Sequence, residues 1–237
     1  MSSPRVAITR ALPDAERTAE ALRARGAEPI VAPLLEIAPY AFDTDLGGVQ
    51  ALLFTSANGV RAAAQALQER ALPLLAVGDA TANAARDAGF RDVRSANGDV
   101  RALSELAASS LEARKGALLY LSGADVAADL ANLLQAAGFR TARRIVYEAR
   151  VVSALPAAYT QPLDIIVFHS ARAAHAFVGF GAPNAQQLTA ACLSQAVADA
   201  AAQSASWARI VVATTPQEEA LWRATFSGQN SPAGASA

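Results

Sequence analysis

Leu52–Ala62 reads LLFTSANGVRA, and Ile166–Ala176 reads IVFHSARAAHA. Each is an apolar, β-prone run followed by Ser-Ala and a helix-forming stretch. The two align at Phe54/Phe168, Ser56/Ser170, Ala57/Ala171 and Ala62/Ala176. A strand that ends in Ser and turns at once into a helix leaves first-turn N–H groups without intrahelical acceptors. With the helix dipole they make an anion site. Two such turns in one chain suggest two related domains serving one anionic ligand.

Outward from the first copy, strand and helix patterns alternate. Strands are predicted near Ala51–Thr55, Pro73–Val77, Asp92–Ser95, Ala117–Leu121 and Ala142–Tyr147. Helices are predicted between them at Asn58–Glu69, Asp79–Ala88, Val100–Ala113 and Val126–Ala137, with Gly89 and Gly138 as stops. This is a parallel βαβ series, with helices expected on both sheet faces. The N-terminus reads strand Arg5–Thr9, helix Asp14–Arg25 and strand Glu28–Ala32. Around the second copy come strands Asp164–Phe168, Thr189–Leu193 and Arg209–Ala213, with helices from Ala171, at Gln195–Ala202 and at Pro216–Phe226.

The middle block thus holds five strands, and two N-terminal plus three C-terminal strands make another five. The chain ends are therefore expected to fold together, as an outer domain of 1–34 plus 164–226 around a middle domain of 51–147. The middle domain starts at the element the outer one reaches third, so the two are circular permutations of each other. Residues 35–50 and 148–163, with Pro39, Pro156 and Pro162 and no sustained period, read as extended linkers that can pair as an antiparallel ribbon. Residues 227–237 have a disordered composition. Ser56 and Ser170 are expected to face each other across the resulting clamp.

Of the 237 residues, 53% are apolar and 17% charged, enough for two cores, and net charge is −1. No basic stripe appears, so nucleic acid is not an expected partner. Lys115 is the only lysine; arginine suits bidentate carboxylate recognition better than lysine does. Cys192 is the only cysteine, which excludes an intramolecular disulfide and a four-cysteine zinc site. The N-terminus lacks a signal-peptide pattern, and no apolar run is long enough for a membrane span. The expectation is a soluble, cytoplasmic protein with no membrane partner, and nothing in the sequence demands an oligomer.

There is no GxxxxGK[ST] loop, no GxGxxG after a strand and no GxSxG elbow. His169 and His175 lack partners at metal-ligand spacing, so no metal is expected; His169 reads as a strand-end residue and His175 as a surface helix residue. What remains is a set of strand-to-helix turns at the carboxyl ends of parallel strands, where open α/β sheets bind ligands. They are Thr9-Arg10, Ser56-Ala57-Asn58, Gly78 to Thr81, Ser122-Gly123 and Ser170-Ala171. Each Ser or Thr also reads simply as an N-cap. A non-catalytic clamp for an anionic small molecule is the competing reading.

These segments together resemble the uroporphyrinogen-III synthase family. The resemblance is carried by VAITR, GAEPIVAPLLEI, LLFTSANGV, AVGDATANAARDAGF, the GF…VYEA segment ending at Ala149, and IVFHSARAAHAF. It implies an α/β fold of two flavodoxin-like domains with parallel sheets, joined by a two-stranded antiparallel linker ladder. It implies a linear tetrapyrrole polycarboxylate, hydroxymethylbilane, as substrate, and no cofactor. The implied reaction is that of a lyase. The terminal hydroxyl leaves, a spiro intermediate forms, and the macrocycle closes with its last ring inverted. The family's tyrosine falls on Tyr147. A neutral phenol carries its proton at neutral pH and can assist a departing hydroxyl.

The chain departs from the family pattern in two places. Many members have Arg-Gly and a further Arg after the fourth strand of the middle domain, where this chain has Ser122-Gly123-Ala124-Asp125-Val126-Ala127. Many also have Gly-x-x-Thr in the outer domain, where this chain has Leu193-Ser194-Gln195-Ala196. Thr81 keeps its match. In the outer domain, backbone amides and Ser170 are the expected carboxylate partners, ahead of any other side chain there.

Overall fold

The computed structural model describes residues 3–125 and 129–227. The chain divides into two compact units, Met1–Glu36 with Arg150–Ala237, and Ile37–Ala149. Each is an α/β unit built on a parallel sheet.

The first unit holds a five-stranded parallel sheet in the order β11-β10-β9-β1-β2. Its strands are β1 (Arg5–Ile8), β2 (Glu28–Val31), β9 (Ile165–Phe168), β10 (Thr189–Cys192) and β11 (Arg209–Val212). Helices α1 (Asp14–Arg23), α6 (Ala171–Gly179), α7 (Gln195–Ala202) and α8 (Glu218–Phe226) connect and cover it. Alternation along β9 explains the two-sided cover. Ile166 and Phe168 enter one apolar cluster with Phe177 and Val197, whereas Ile165 and Val167 enter another with Leu22 and Trp222. Such a strand buries both faces, as parallel sheets require.

The second unit follows the same logic. Strands β4 (Val49–Phe54), β5 (Leu74–Ala76), β6 (Val93–Ser95), β7 (Ala117–Gly123) and β8 (Thr141–Val151) pair in parallel. Helices α2 (Ala57–Ala66), α3 (Asp79–Asp87), α4 (Val100–Ser110) and α5 (Leu130–Ala136) join them. Leu52 and Phe54 of β4 point into the cluster with Val60 and Phe90, and Ala51 and Leu53 into the one with Leu103 and Leu134. With β3 (Leu35–Pro39) at one edge, the sheet order is β3-β8-β7-β4-β5-β6. Laying β9 on β4 lays β10 on β5, β11 on β6, β1 on β7 and β2 on β8. The two spatial orders then coincide although the chain enters them at different points.

The linker stretches carry more structure than their irregular composition predicts. Leu35–Pro39 forms strand β3, and Ala157–Thr160 is a short 3-10 turn. β3 lies beside β8 at the sheet edge, with Tyr40 N donating to Val146 O at 2.9 Å and Val152 N to Leu34 O at 3.1 Å, so the two strands run in opposite senses. Pro39 at the end of an edge strand costs no ladder bond. β8 also runs past the predicted Tyr147 to Val151. Helix α2 ends at Ala66, short of the predicted Glu69, because Leu67 is extended. The Arg70 guanidinium takes up the carbonyls of Ala64 and Leu67 there and stacks over Phe90, 4.7 Å from its centroid. The start of the helix predicted at Val126–Ala137, with Val126 and Ala127, lies outside the described residues, as does the tail predicted at 227–237 beyond Ser227.

Candidate active site

In the second unit, the carboxyl ends of β4, β7 and β8 bring Ser56, Gly123 and Tyr147 together. Ser56 is extended (φ −151°, ψ 137°) and caps α2, its Oγ accepting from Asn58 N at 3.1 Å. The Tyr147 phenol donates to the same Oγ at 3.0 Å. The ring lies against two glycines. A Cβ on Gly123 would sit 2.9 Å from Tyr147 Cζ and 3.0 Å from its Oη; one on Gly59 would sit 3.6 Å from Cε1. At Gly123 no side chain fits without moving the ring. Gly59 was not singled out by sequence; its signal was only its place one turn into α2. Ser56, Ala57, Asn58 and Tyr147 are all partly exposed.

The turn after β7 is held from the neighbouring strand. Arg143 donates from Nε to Ser122 Oγ at 2.8 Å, and from Nη2 to the Gly123 carbonyl at 2.9 Å and the Ala124 carbonyl at 3.0 Å. Sequence reasoning missed Arg143, because nothing short-range ties it to a turn some twenty residues earlier (separations of 19 to 21). Behind the site, Thr55 Oγ1 and Tyr120 Oη lie 2.8 Å apart. The third turn of this unit begins with Gly78, which caps α3 without a side-chain bond.

Three hydroxyl side chains expected at the turns do not reach solvent. Thr9, Thr81 and Ser122 are 0%, 5% and 2% exposed. Thr9 Oγ1 donates to the Val167 carbonyl at 2.7 Å, tying β1 to β9. Ser122 Oγ donates to the Gly123 carbonyl and accepts from Arg143. Thr81 lies on the buried face of α3 with Ala82 and Ala85. These side chains are packed inside the protein and are not placed to meet a ligand.

In the first unit, Ser170 (φ −149°, ψ 149°) caps α6 through Ala173 N at 3.3 Å, with Ala171 opening the helix. Ser194 caps α7 without a side-chain bond. Arg10, expected to meet a ligand carboxylate, instead holds two carboxylates of its own unit. Its Nη1 lies 2.5 Å from Glu218 Oε1 and its Nη2 3.5 Å from Asp14 Oδ2. Glu218 Oε1 also accepts from Thr18 Oγ1 at 3.0 Å and faces His169 Nε2 at 2.8 Å.

His169 is thus no bare strand-end residue. Burial pushes its pKa down, against the pull of the Glu218 bond, so the ring is neutral at neutral pH with Nε2–H on Glu218. Nδ1 is then a buried acceptor without a partner among the described residues. Burial pushes the Glu218 carboxyl up, but the His169 hydrogen bond, the charge that ring gains once acid protonates it, and the charge of Arg10 outweigh burial and hold the carboxyl at about 2. Cys192 is buried and its thiol is pushed up to about 12 by burial, so it is no nucleophile at neutral pH. His175 is exposed on α6. Among the described residues no group of His, Cys, Asp and Glu could hold a metal, and no helix is long and apolar enough to cross a membrane.

Known structures share this architecture. Uroporphyrinogen-III synthetase from Helicobacter pylori 26695 superposes with a TM-score of 0.67 at 18% identity, over 94% of this chain and 99% of that one. A selenomethionine variant of uroporphyrinogen-III synthase from Thermus thermophilus gives 0.51 at 20% identity, over 97% and 100%. At these identities the likeness speaks for the fold. No curated protein sequence matches the chain. The model of the family described as uroporphyrinogen-III synthase HemD matches residues 16–223. The chain therefore belongs to the uroporphyrinogen-III synthase family, cyclising lyases of tetrapyrrole biosynthesis.

Proposed function

We propose that Tyr147 is the proton source for the departure of the terminal hydroxyl of hydroxymethylbilane. The observation that carries this reading is the seating of its phenol. It is partly exposed at the carboxyl end of a parallel sheet, where such folds bind ligands, and is locked by Gly123 and Ser56. A poor leaving group needs a proton as its C–O bond breaks, and a positioned general acid contributes roughly 10²–10⁴-fold.

The rest of the task is positioning. A flexible linear tetrapyrrole must be folded so that its ends meet, and holding reactants in register can supply large factors without acid–base groups. First-turn amides at Ala57, Ala171 and after Gly78 and Ser194 would take substrate carboxylates, with the Ser56 and Ser170 hydroxyls beside them. Thr9, Thr81 and Ser122 serve this by shaping turns. Arg10 serves by anchoring α8 to the end of β1. The strand orders and the β3–β8 pairing support two flavodoxin-like domains hinged on a two-stranded ladder. A cytoplasmic monomer that takes a small molecule and no nucleic acid fits the composition.

The test supplies freshly made hydroxymethylbilane and separates uroporphyrinogen I from III after oxidation. Wild-type protein is expected to give type III. Tyr147→Phe is expected to fold normally and turn over about a hundredfold more slowly. Type I product alone from the wild type would favour the competing reading of a non-catalytic clamp. Unchanged turnover by Tyr147→Phe would remove Tyr147 from the chemistry.

A further inference from the structure

We infer that the proton passes to the substrate through Ser56, so that Ser56 is the residue touching the leaving hydroxyl and Tyr147 acts through it. The inference rests on the reading of Tyr147 above and follows from counting donors and acceptors at one oxygen. A serine hydroxyl has two lone pairs and one proton. Both acceptor positions of Ser56 Oγ are filled, by Tyr147 Oη–H at 3.0 Å and Asn58 N–H at 3.1 Å. Its own proton has no acceptor among the described residues. The Tyr147 proton, by contrast, is already committed to Ser56. The pair therefore has one direction, from phenol to serine to whatever oxygen docks on the serine.

The fold enforces that direction. Gly123 and Gly59 fix the ring from one side, and its phenol end cannot swing toward Gly123, whose added Cβ would already be 3.0 Å from Oη. The backbone amide of Asn58 fixes the serine rotamer. The phenol is not needed for capping; Ser170 caps α6 with Ala173 N and, among the described residues, has no phenol behind it.

The step balances. The terminal C–O bond of the substrate breaks and its electron pair leaves with oxygen, which takes the Ser56 proton and departs as water. Ser56 Oγ takes the Tyr147 proton, leaving a phenolate. When the macrocycle recloses, the unsubstituted α-carbon of the last pyrrole, which forms the new bond, loses its proton; that proton returns through the two hydroxyls in reverse and restores the phenol. Nothing further is consumed.

The experiment compares Ser56→Ala, Ser56→Asn, Ser56→Thr, Tyr147→Phe and the Ser56→Ala/Tyr147→Phe double variant, with freshly prepared hydroxymethylbilane and full-length protein. Asparagine caps helices as well as serine does, but its amide does not give up a proton. Ser56→Asn is therefore expected to melt with the wild type yet lose about a hundredfold in kcat, as Ser56→Ala does, with KM little changed. Ser56→Thr is expected to restore turnover to within a few fold. The double variant is expected to be no slower than Tyr147→Phe alone, because both changes cut one path. Wild-type kcat in Ser56→Asn with a slow Tyr147→Phe would overturn the inference and leave Tyr147 acting directly. Multiplying losses in the double variant would overturn it as well. Wild-type turnover in Tyr147→Phe would instead overturn the underlying reading of Tyr147.

Discussion

Ser56 and Ser170 end equivalent strands with nearly the same backbone, φ −151° and ψ 137° against φ −149° and ψ 149°. Their neighbourhoods differ in kind. At Ser56 strand β8, the second strand along the sheet from β4, brings a phenol to the hydroxyl, and the residue before it, Thr55, pairs with Tyr120. At Ser170 the residue before it, His169, is buried against Glu218 of α8, which also closes on Arg10 and Thr18. One edge keeps a transferable proton on a partly exposed hydroxyl; the other cancels its charges internally. The shared turn is a scaffold, and the element packed beside it decides the chemistry. Charges satisfied inside a unit strengthen its frame but are poor ligand receptors, because a carboxylate from outside must first displace one already paired.

The comparison breaks most directly at the two serines' environments. Tyr147→Phe is expected to lower kcat about a hundredfold, whereas Ser170→Ala is expected to raise KM by a few fold with kcat kept. Equal kcat losses in both would show that the two edges share the chemistry. Steady-state kinetics with product separation decides it.

Gly123→Ala is the next largest. A Cβ would sit 2.9 Å from Tyr147 Cζ, so the ring must move. Overpacking of this kind costs about 1–3 kcal/mol, seen in urea melts, and kcat is expected to fall by roughly tenfold. Gly78→Ala, with open space around its added Cβ, serves as the control.

On the other edge, Glu218→Gln leaves Arg10 with Asp14 alone and removes a charged acceptor from His169 and Thr18. A loss of about 1–3 kcal/mol in stability is expected, the range for hydrogen bonds to charged groups, with kcat near wild type. A large rise in KM for Glu218→Gln or Arg10→Ala, with melting unchanged, would assign Arg10 to the substrate after all.

The smallest effect lies in pH. Burial lowers the folded-state pKa of His169 below its unfolded value of about 6.5, so the unfolded chain binds that proton more readily. Its contribution to stability is full above pH ~6.5 and is lost as pH falls through the folded value. Glu218, held at about 2, adds a second loss as pH drops below its unfolded value of roughly 4.3. His169→Gln is expected to flatten the first limb in urea melts below pH ~6.5 and to shrink the second, because the His169 hydrogen bond and acid-side charge help hold Glu218 down.

Much of the fold is legible along the chain because its signals are local. Period-two alternation in β4 and β9 marks strands buried on both faces, Ser at their ends marks the helix starts, and the uneven strand count implies that the termini fold together. Strand β3 shows no period of its own, because Pro33 and Pro39 bracket it like a loop; it was legible only as one half of an expected antiparallel ribbon, and an edge position beside β8 tolerates the prolines. The site was half legible. Ser56 and Tyr147 are each named by local pattern or family likeness, but their contact spans 91 residues. Arg10 looked like a ligand-binding cation because its partner Glu218 lies 208 residues away.

The amino-acid sequence by itself determined two permuted parallel-sheet units with serine-capped turns at their strand ends, since propensity, periodicity and capping act over a few residues. Tertiary structure alone decided what surrounds each of those turns. Hydrogen-bond direction at Ser56, the closeness of Gly123 to a ring, and the closing of Arg10 on Glu218 all depend on which distant side chain packs alongside, and no local pattern encodes that.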